Sequence, residues 1–335
     1  MLLRPGVPHL LAATCLFALL LPVEVAAEKE GPVWTDPATA LAEDPDFSVQ
    51  GEYGSTEPDA ALGAQVVALG KGEFDVYLLE GGLPGIGWTR GRERQVVKAE
   101  TTSTGVRGKS KGGNVEVFIA DGKIKVTREG KQTTLPRVER SSPTLGAAPP
   151  EGAIVLFDGT SAEAWENGKV VDGLLAATNC MSKQHFGDHV AHIEFRTPYK
   201  PEARGQRRGN SGIYYGGRWE TQILDSFGLE GLGNQTGGIY SIAAPKLNMC
   251  LPPLTWQTYD IEFKAARFDR DGRRIAWPRI TVRLNGVLIH ENLELAKDYT
   301  TAAPIKEKLT EPEGPMFLQD HGNPVFFRNI WVLPK

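Results

Sequence analysis

Cysteine is nearly missing from this chain: three residues in 335, too few for a scaffold built on disulfides. An excess of either charge is missing too. Lys and Arg number 37 against 41 Asp and Glu, for a formal net charge of -4, and that balance offers nothing to a nucleic acid. No apolar run reaches the roughly 20 residues a membrane-spanning helix needs. Helical periodicity is almost absent, with only residues 293–297 hinting at a turn or two. There is no Gly-x-Ser-x-Gly elbow, no phosphate-cradling Gly loop ending in Lys-Ser/Thr and no His-Glu-x-x-His. A hydrolase elbow, a P-loop and a zincin site are thereby excluded. Asp269-Arg270-Asp271-Gly272 opens like a calcium loop but has no closing Glu, so it reads as a turn.

What is present begins at the N-terminus. Arg4 precedes an apolar run over 10–21, Pro22 ends it, and Val25-Ala26-Ala27 supplies small residues before Glu28. This is the layout of a secretory signal peptide over 1–27, and it predicts a periplasmic or secreted protein with no span after cleavage. Cys180 and Cys250 then remain. An oxidising compartment would allow them to pair, but their separation in sequence does not decide it.

Residues 28–45 are polar and carry Pro32, Pro37 and Pro45, as a leader would. From 46 to 140 short alternating runs are broken by Gly. Residues 64–69 and 74–78 flank Gly70-Lys71-Gly72, and residues 115–119 and 123–126 flank Asp121-Gly122, so two hairpins are predicted in a small β-rich domain. Thirteen Lys and Arg against six Asp and Glu over 88–140 make this stretch basic. Lys123 and Lys125 alternate with apolar neighbours, which a solvated strand face explains better than a polyanion site. Residues 141–150, small and Pro-rich, read as a linker. Beyond it, residues 190–196 and 258–263 alternate at period two, with Tyr259, Ile261 and Phe263 on one face, and Asn285-Gly286 marks a tight hairpin. About ten short strands over 151–335 make an all-β sandwich or jelly roll.

Two clusters could carry chemistry. On a strand, Glu220 and Gln222 share one face with Arg218 beside them, while Trp219 and Ile223 take the other. Such a row suits the floor of a groove for a hydroxyl-rich ligand, and equally a solvated sheet face. The second cluster is Gln319-Asp320-His321-Gly322-Asn323-Pro324, which puts a histidine beside an aspartate in a turn. Histidine is the side chain best placed to exchange a proton near neutral pH.

The ordered series Leu156-Phe157-Asp158-Gly159, Glu194-Phe195-Arg196, Gly209-Asn210-Ser211-Gly212, Glu220-Thr221-Gln222-Ile223-Leu224-Asp225, Trp256-Gln257-Thr258-Tyr259 and Gln319-Asp320-His321-Gly322-Asn323 resembles the 3-keto-disaccharide hydrolase family over 151–335. The resemblance implies a concanavalin-like β-jelly roll holding sugar on a concave sheet. It also implies elimination at a 3-keto sugar followed by hydration, the ketone being supplied by a separate sugar 3-dehydrogenase. Glu220 and His321 are then base and acid in an order left open. Arg204, Arg208, Asn210, Tyr215, Arg218, Gln222, Asp225 and Asp320 are the expected enolate or hydroxyl contacts. No cofactor is demanded, and a divalent ion held by Glu220 and His321 stays open. A non-catalytic carbohydrate-binding or envelope module on the same sandwich is the alternative, and residues 28–140 gain no role from the resemblance.

Overall fold

The computed structural model describes residues 31–335 apart from Asp59. The signal-peptide expectation over 1–27 lies outside the described residues. Where a polar leader is expected, Asp-Pro pairs start two short helices. Asp36 accepts a hydrogen bond from the Thr39 amide to begin Pro37–Glu43, and Asp44 does the same for Asp46 to begin Pro45–Val49. Proline fits the first helical turn, where no N–H is needed.

The β-rich domain closes into an eight-stranded antiparallel barrel running from Gly51–Tyr53 to Lys131–Val138, sealed where Glu52 pairs with Val138. Both predicted hairpins are there: Leu62–Gly70 pairs with Glu73–Glu80, and Val115–Ala120 with Lys123–Arg128. At the second, Asp121 and Gly122 both take positive φ (50° and 66°), the geometry of a two-residue turn that matches strand twist. Alternate residues Val115, Val117, Ile119, Ile124 and Val126 fill the barrel.

Residues 151–335 form two large antiparallel sheets packed face to face, plus a two-stranded ribbon of Arg267–Phe268 and Arg274–Ala276. The smaller has the order Trp165–Glu166, Cys180–Phe186, Gly314–Leu318, Ser211–Tyr215, Trp219–Ile223. The larger has eight strands, with His189–Arg196 between Phe326–Pro334 and Gln257–Lys264 at its middle. Between the sheets lies one core, to which Ile213, Tyr215, Trp219 and Ile223 contribute from the small sheet and Ile193, Phe195, Tyr259, Ile261 and Phe263 from the large one. The helical hint over 293–297 gives way to the strand Val287–Glu294, because Ile280 and Leu293 pair across the hairpin that Asn285-Gly286 turns. Among the described residues no helix is long and apolar enough to cross a membrane.

Two junctions tie these parts together. The expected linker is a strap pinned to the outer face of the large sheet. Ser142 and Thr258 share a hydrogen bond of 2.6 Å, Thr144 donates to Asp260, the Gly146 amide donates to Glu194, and Asn329 and Trp331 donate to the Ala147 carbonyl. Meanwhile Tyr199 and Leu254 leave the sandwich to join the barrel core, where the Tyr199 hydroxyl donates to Asp44.

Candidate active site

The outer face of the small sheet is where chemistry-bearing side chains gather. Register puts Glu166, Met181, Phe317, Tyr214 and Glu220 in one cross-strand row, with Gln319, Gly212 and Gln222 in the next. This face is not solvated, since Glu220, Gln222, Gln319 and Tyr214 are all buried. Residues 298–309 cover its far end. Ala303 packs on Tyr214 and Phe317, Thr300 accepts from the Glu220 amide at 3.2 Å, and Ile305 fits over Gly217.

Glu220 lies at the boundary between this apolar cover and the amide row. Burial raises its pKa to about 7, against the pull of the Tyr214 hydroxyl, which hydrogen-bonds its charged form. The Gln319 amide donates to the Tyr214 oxygen at 3.0 Å. That leaves the tyrosine proton for Glu220. A Cβ at position 212 would sit 2.6 Å from Oε1 and 2.9 Å from Cγ of Glu220, so the glycine there leaves the carboxyl its place. Asn210 and Gln222 both donate to Oε1 of Gln206, at 3.1 and 3.4 Å. The side-chain carbonyl oxygens of Asn210, Gln222 and Gln319 are buried and have no donor among the described residues. Buried acceptors without donors are rare in folded proteins, and three around one carboxyl suit a ligand rich in hydroxyl donors.

The other residues singled out in the sequence are placed elsewhere. Tyr215 faces the core between the sheets, as alternation along its strand requires once Tyr214 faces out. Arg208 and Asp225 are buried against each other at 2.6 Å, and Arg208 also donates to the Ala68 and Pro201 carbonyls. Arg204 reaches the barrel at the Leu69 carbonyl, and Arg218 holds the Glu307 carbonyl of the covering segment. None of these guanidinium groups points its bonds at Glu220. Asp320 and His321 lie exposed on the loop beyond Gln319, where the Asp320 carboxylate accepts from the Gly322 amide. No hydrogen bond or ion pair joins His321 to Glu220 among the described residues. No three His, Cys, Asp or Glu side chains come together as a metal centre there either. Around Glu220 stand amides, hydroxyls and apolar groups, with no second carboxylate, histidine or cysteine bonded to it among the described residues. Cys180 and Cys250 are both free thiols, buried in separate clusters. Sequence reasoning missed Tyr214 and Gln206 and gave Gln319, though part of the second cluster, no role of its own; period-two alternation from Glu220 and its hairpin partner strand would have found the first.

The family model of the 3-keto-alpha-glucoside-1,2-lyase-like domain matches residues 152–333, more than half of the chain. The chain belongs to this family. A solved structure of a putative glycosyl hydrolase from Parabacteroides distasonis is 34% identical, with a TM-score of 0.51, and is aligned over 56% of this chain and 85% of that one. A second putative glycosyl hydrolase from the same organism aligns at 19% identity over 55% of this chain and 95% of that one, with a TM-score of 0.40. No curated protein matches. The family match covers the sandwich and leaves the barrel outside it, so the lyase-like domain is the part that carries Glu220, the amide row and the His321 loop.

Proposed function

We propose that the chain cleaves 3-keto-glycosides by removing the C2 proton, expelling the C1 oxygen and adding water to the unsaturated sugar. The observation that carries this is one buried carboxyl on this face, without an ion-pair partner among the described residues, its pKa raised to about 7 and amide oxygens around it. Ordinary glycosidases set two carboxyls about 5–10 Å apart across the bond. Here Glu166 lies on the same face but four strands away from Glu220, roughly 19 Å at strand spacing, which does not suit that pairing. A 3-ketone makes the C2 proton acidic, so one base suffices. Glu220, half ionised near neutrality, takes that proton. Electrons from the C2–H bond pass to the ketone oxygen as an enolate and return to expel the C1 oxygen, which His321 protonates at the open edge. Water then adds its hydroxyl to C1 and its proton to C2, so that hydrolysis is the net change. Asn210, Gln222 and Gln319 accept from the sugar hydroxyls.

The ketone would come from a separate sugar 3-dehydrogenase. The same reading takes the protein as exported, which N-terminal sequencing of the mature chain checks. Incubation with a 3-keto-disaccharide should give a transient enone absorbance and released sugar. As the base, Glu220 should give kcat/KM a limb that rises with pH through about 7. Glu220→Ala should abolish turnover while the fold persists; a binding module would lose affinity alone. No product from any keto-glycoside, with or without divalent metal, would sink the proposal.

A further inference from the structure

The proposed reaction puts negative charge on the sugar's C3 oxygen; Arg204 and Arg218 are bonded to carbonyls away from Glu220, and Arg208, paired with Asp225, has its charge already matched. A different cation is linked through Asn323 to the turn that carries Asn210. Lys200 is 5% exposed, and no other lysine is buried among the described residues. Its Nζ donates to Oδ1 of Asn323 at 2.9 Å, and among the described residues no carboxylate forms an ion pair with it. A buried ammonium normally has a charged partner, because removing it from water costs several kcal/mol that a single neutral acceptor does not recover. Lys200 has three donors, and Asn323 uses one.

Its place in the fold is set by the two segments that frame the amide row. Lys200 follows the strand His189–Arg196 on a segment that packs against Gly209, where an added Cβ would meet Thr197 and Pro198 at 3.3 Å. Oδ1 of Asn323 also accepts from the Gly209 amide, at 3.1 Å. The ammonium is therefore within two hydrogen-bond lengths of the residue next to Asn210, whose own Oδ1 is buried without a donor. Asn323 in turn donates to the His321 carbonyl at 3.0 Å. One asparagine thus ties Lys200, the Asn210 turn and the His321 loop together.

We propose that Lys200 is a catalytic residue whose ammonium stabilises the enolate oxygen formed when Glu220 removes the C2 proton, with Asn323 as its positioning residue. This rests on the keto-glycoside reading above. The unpaired buried charge is unfavourable in the resting protein and gains its counterion only as the enolate forms. An interaction of that kind lowers the barrier without tightening ground-state binding.

The test is Lys200→Met in the full chain. It is read by turnover of a 3-keto-disaccharide, by exchange of the C2 proton for deuterium in a 3-keto methyl glycoside, and by thermal melting. Methionine keeps the length of the side chain and removes the charge. We expect kcat and C2 exchange to fall together by at least about 100-fold, the effect of removing one preorganised donor from a developing oxyanion. KM should change less than about threefold, and Tm should stay equal or rise. Lys200→Arg should recover part of the exchange rate. Near-wild-type exchange in Lys200→Met overturns the assignment. So does a fall in activity that follows a lowered Tm, since that makes the lysine structural. An inactive wild-type protein is a separate result: it removes the keto-glycoside reading and this role with it.

Discussion

Glu220 shows what a buried carboxyl does to its own protein. Burial holds its pKa at about 7, against an ordinary value of 4.5. Between those values the folded chain keeps a proton that the unfolded chain has released, so stability falls as pH rises through that window. The full difference is about 3 kcal/mol. Glu220→Gln removes the titration and keeps the shape. It should therefore unfold at higher denaturant than wild type at pH 8, match it at pH 4, and have no turnover; equal stability at both pH values would show the carboxyl to be solvated. The residue types needed here are visible in the sequence, and alternation correctly gives Glu220 and Gln222 one face. That face could not be known as buried from the strand itself, because the residues that cover it, Thr300 and Ala303, come some eighty positions later.

At the scale of elements, the strap over 142–147 lies on a buried charge cluster. His192 meets Asp260 at 2.6 Å and Glu194 at 3.4 Å, and Glu194 also accepts from Arg328, Asn329 and the Gly146 amide. Burial opposes both charges, but these partners outweigh it: Glu194 is held at about 2 and His192 above its ordinary 6.5. The Glu194 contribution is complete above pH 4.5 and is lost as pH falls towards 2. The His192 contribution is complete below 6.5 and is lost as pH rises through its raised value. Glu194→Gln should cost about 3–5 kcal/mol in denaturant unfolding at pH 6, as breaking a buried ion pair does, and should expose the strap to protease. A loss below about 1 kcal/mol would mean that the strap holds without the charges. Element types were easy to read where the chemistry is local. The pairs Asp121-Gly122, Asp172-Gly173 and Asn285-Gly286 all turn hairpins with both residues at positive φ. The strap was read as a linker because its composition is that of one. What holds it are single hydroxyls and amides meeting a distant sheet, and composition does not encode those partners.

For the whole molecule, the barrel is joined to the strands that build the site. Arg208 precedes Asn210, Asp225 follows Gln222, and their buried ion pair also binds the barrel through the Ala68 carbonyl. Arg90 reaches the carbonyls of Gly231 and Pro245 at 2.7 and 3.0 Å, and Phe227 and Cys250 pack on Val67 and Tyr77. Arg208→Met leaves Asp225 buried without its counterion and should cost about 3–5 kcal/mol, whereas Arg208→Met with Asp225→Leu should regain most of it. Denaturant unfolding of both variants checks this, and an additive double variant would show that the two side chains act independently. By itself the sequence determined the all-β class, the hairpins, the alternation that faces Glu220 outward and the family of residues 152–333. All of these depend on neighbours in the chain or on the order of its motifs. Tertiary structure decided which arginines are already paired, that Cys180 and Cys250 stay free, that a linker is a strap and that Lys200 is buried with no carboxylate paired to it among the described residues. Each of those depends on contacts between residues far apart in the chain, and burial, which sets the energy of a charge, exists only once those contacts have formed.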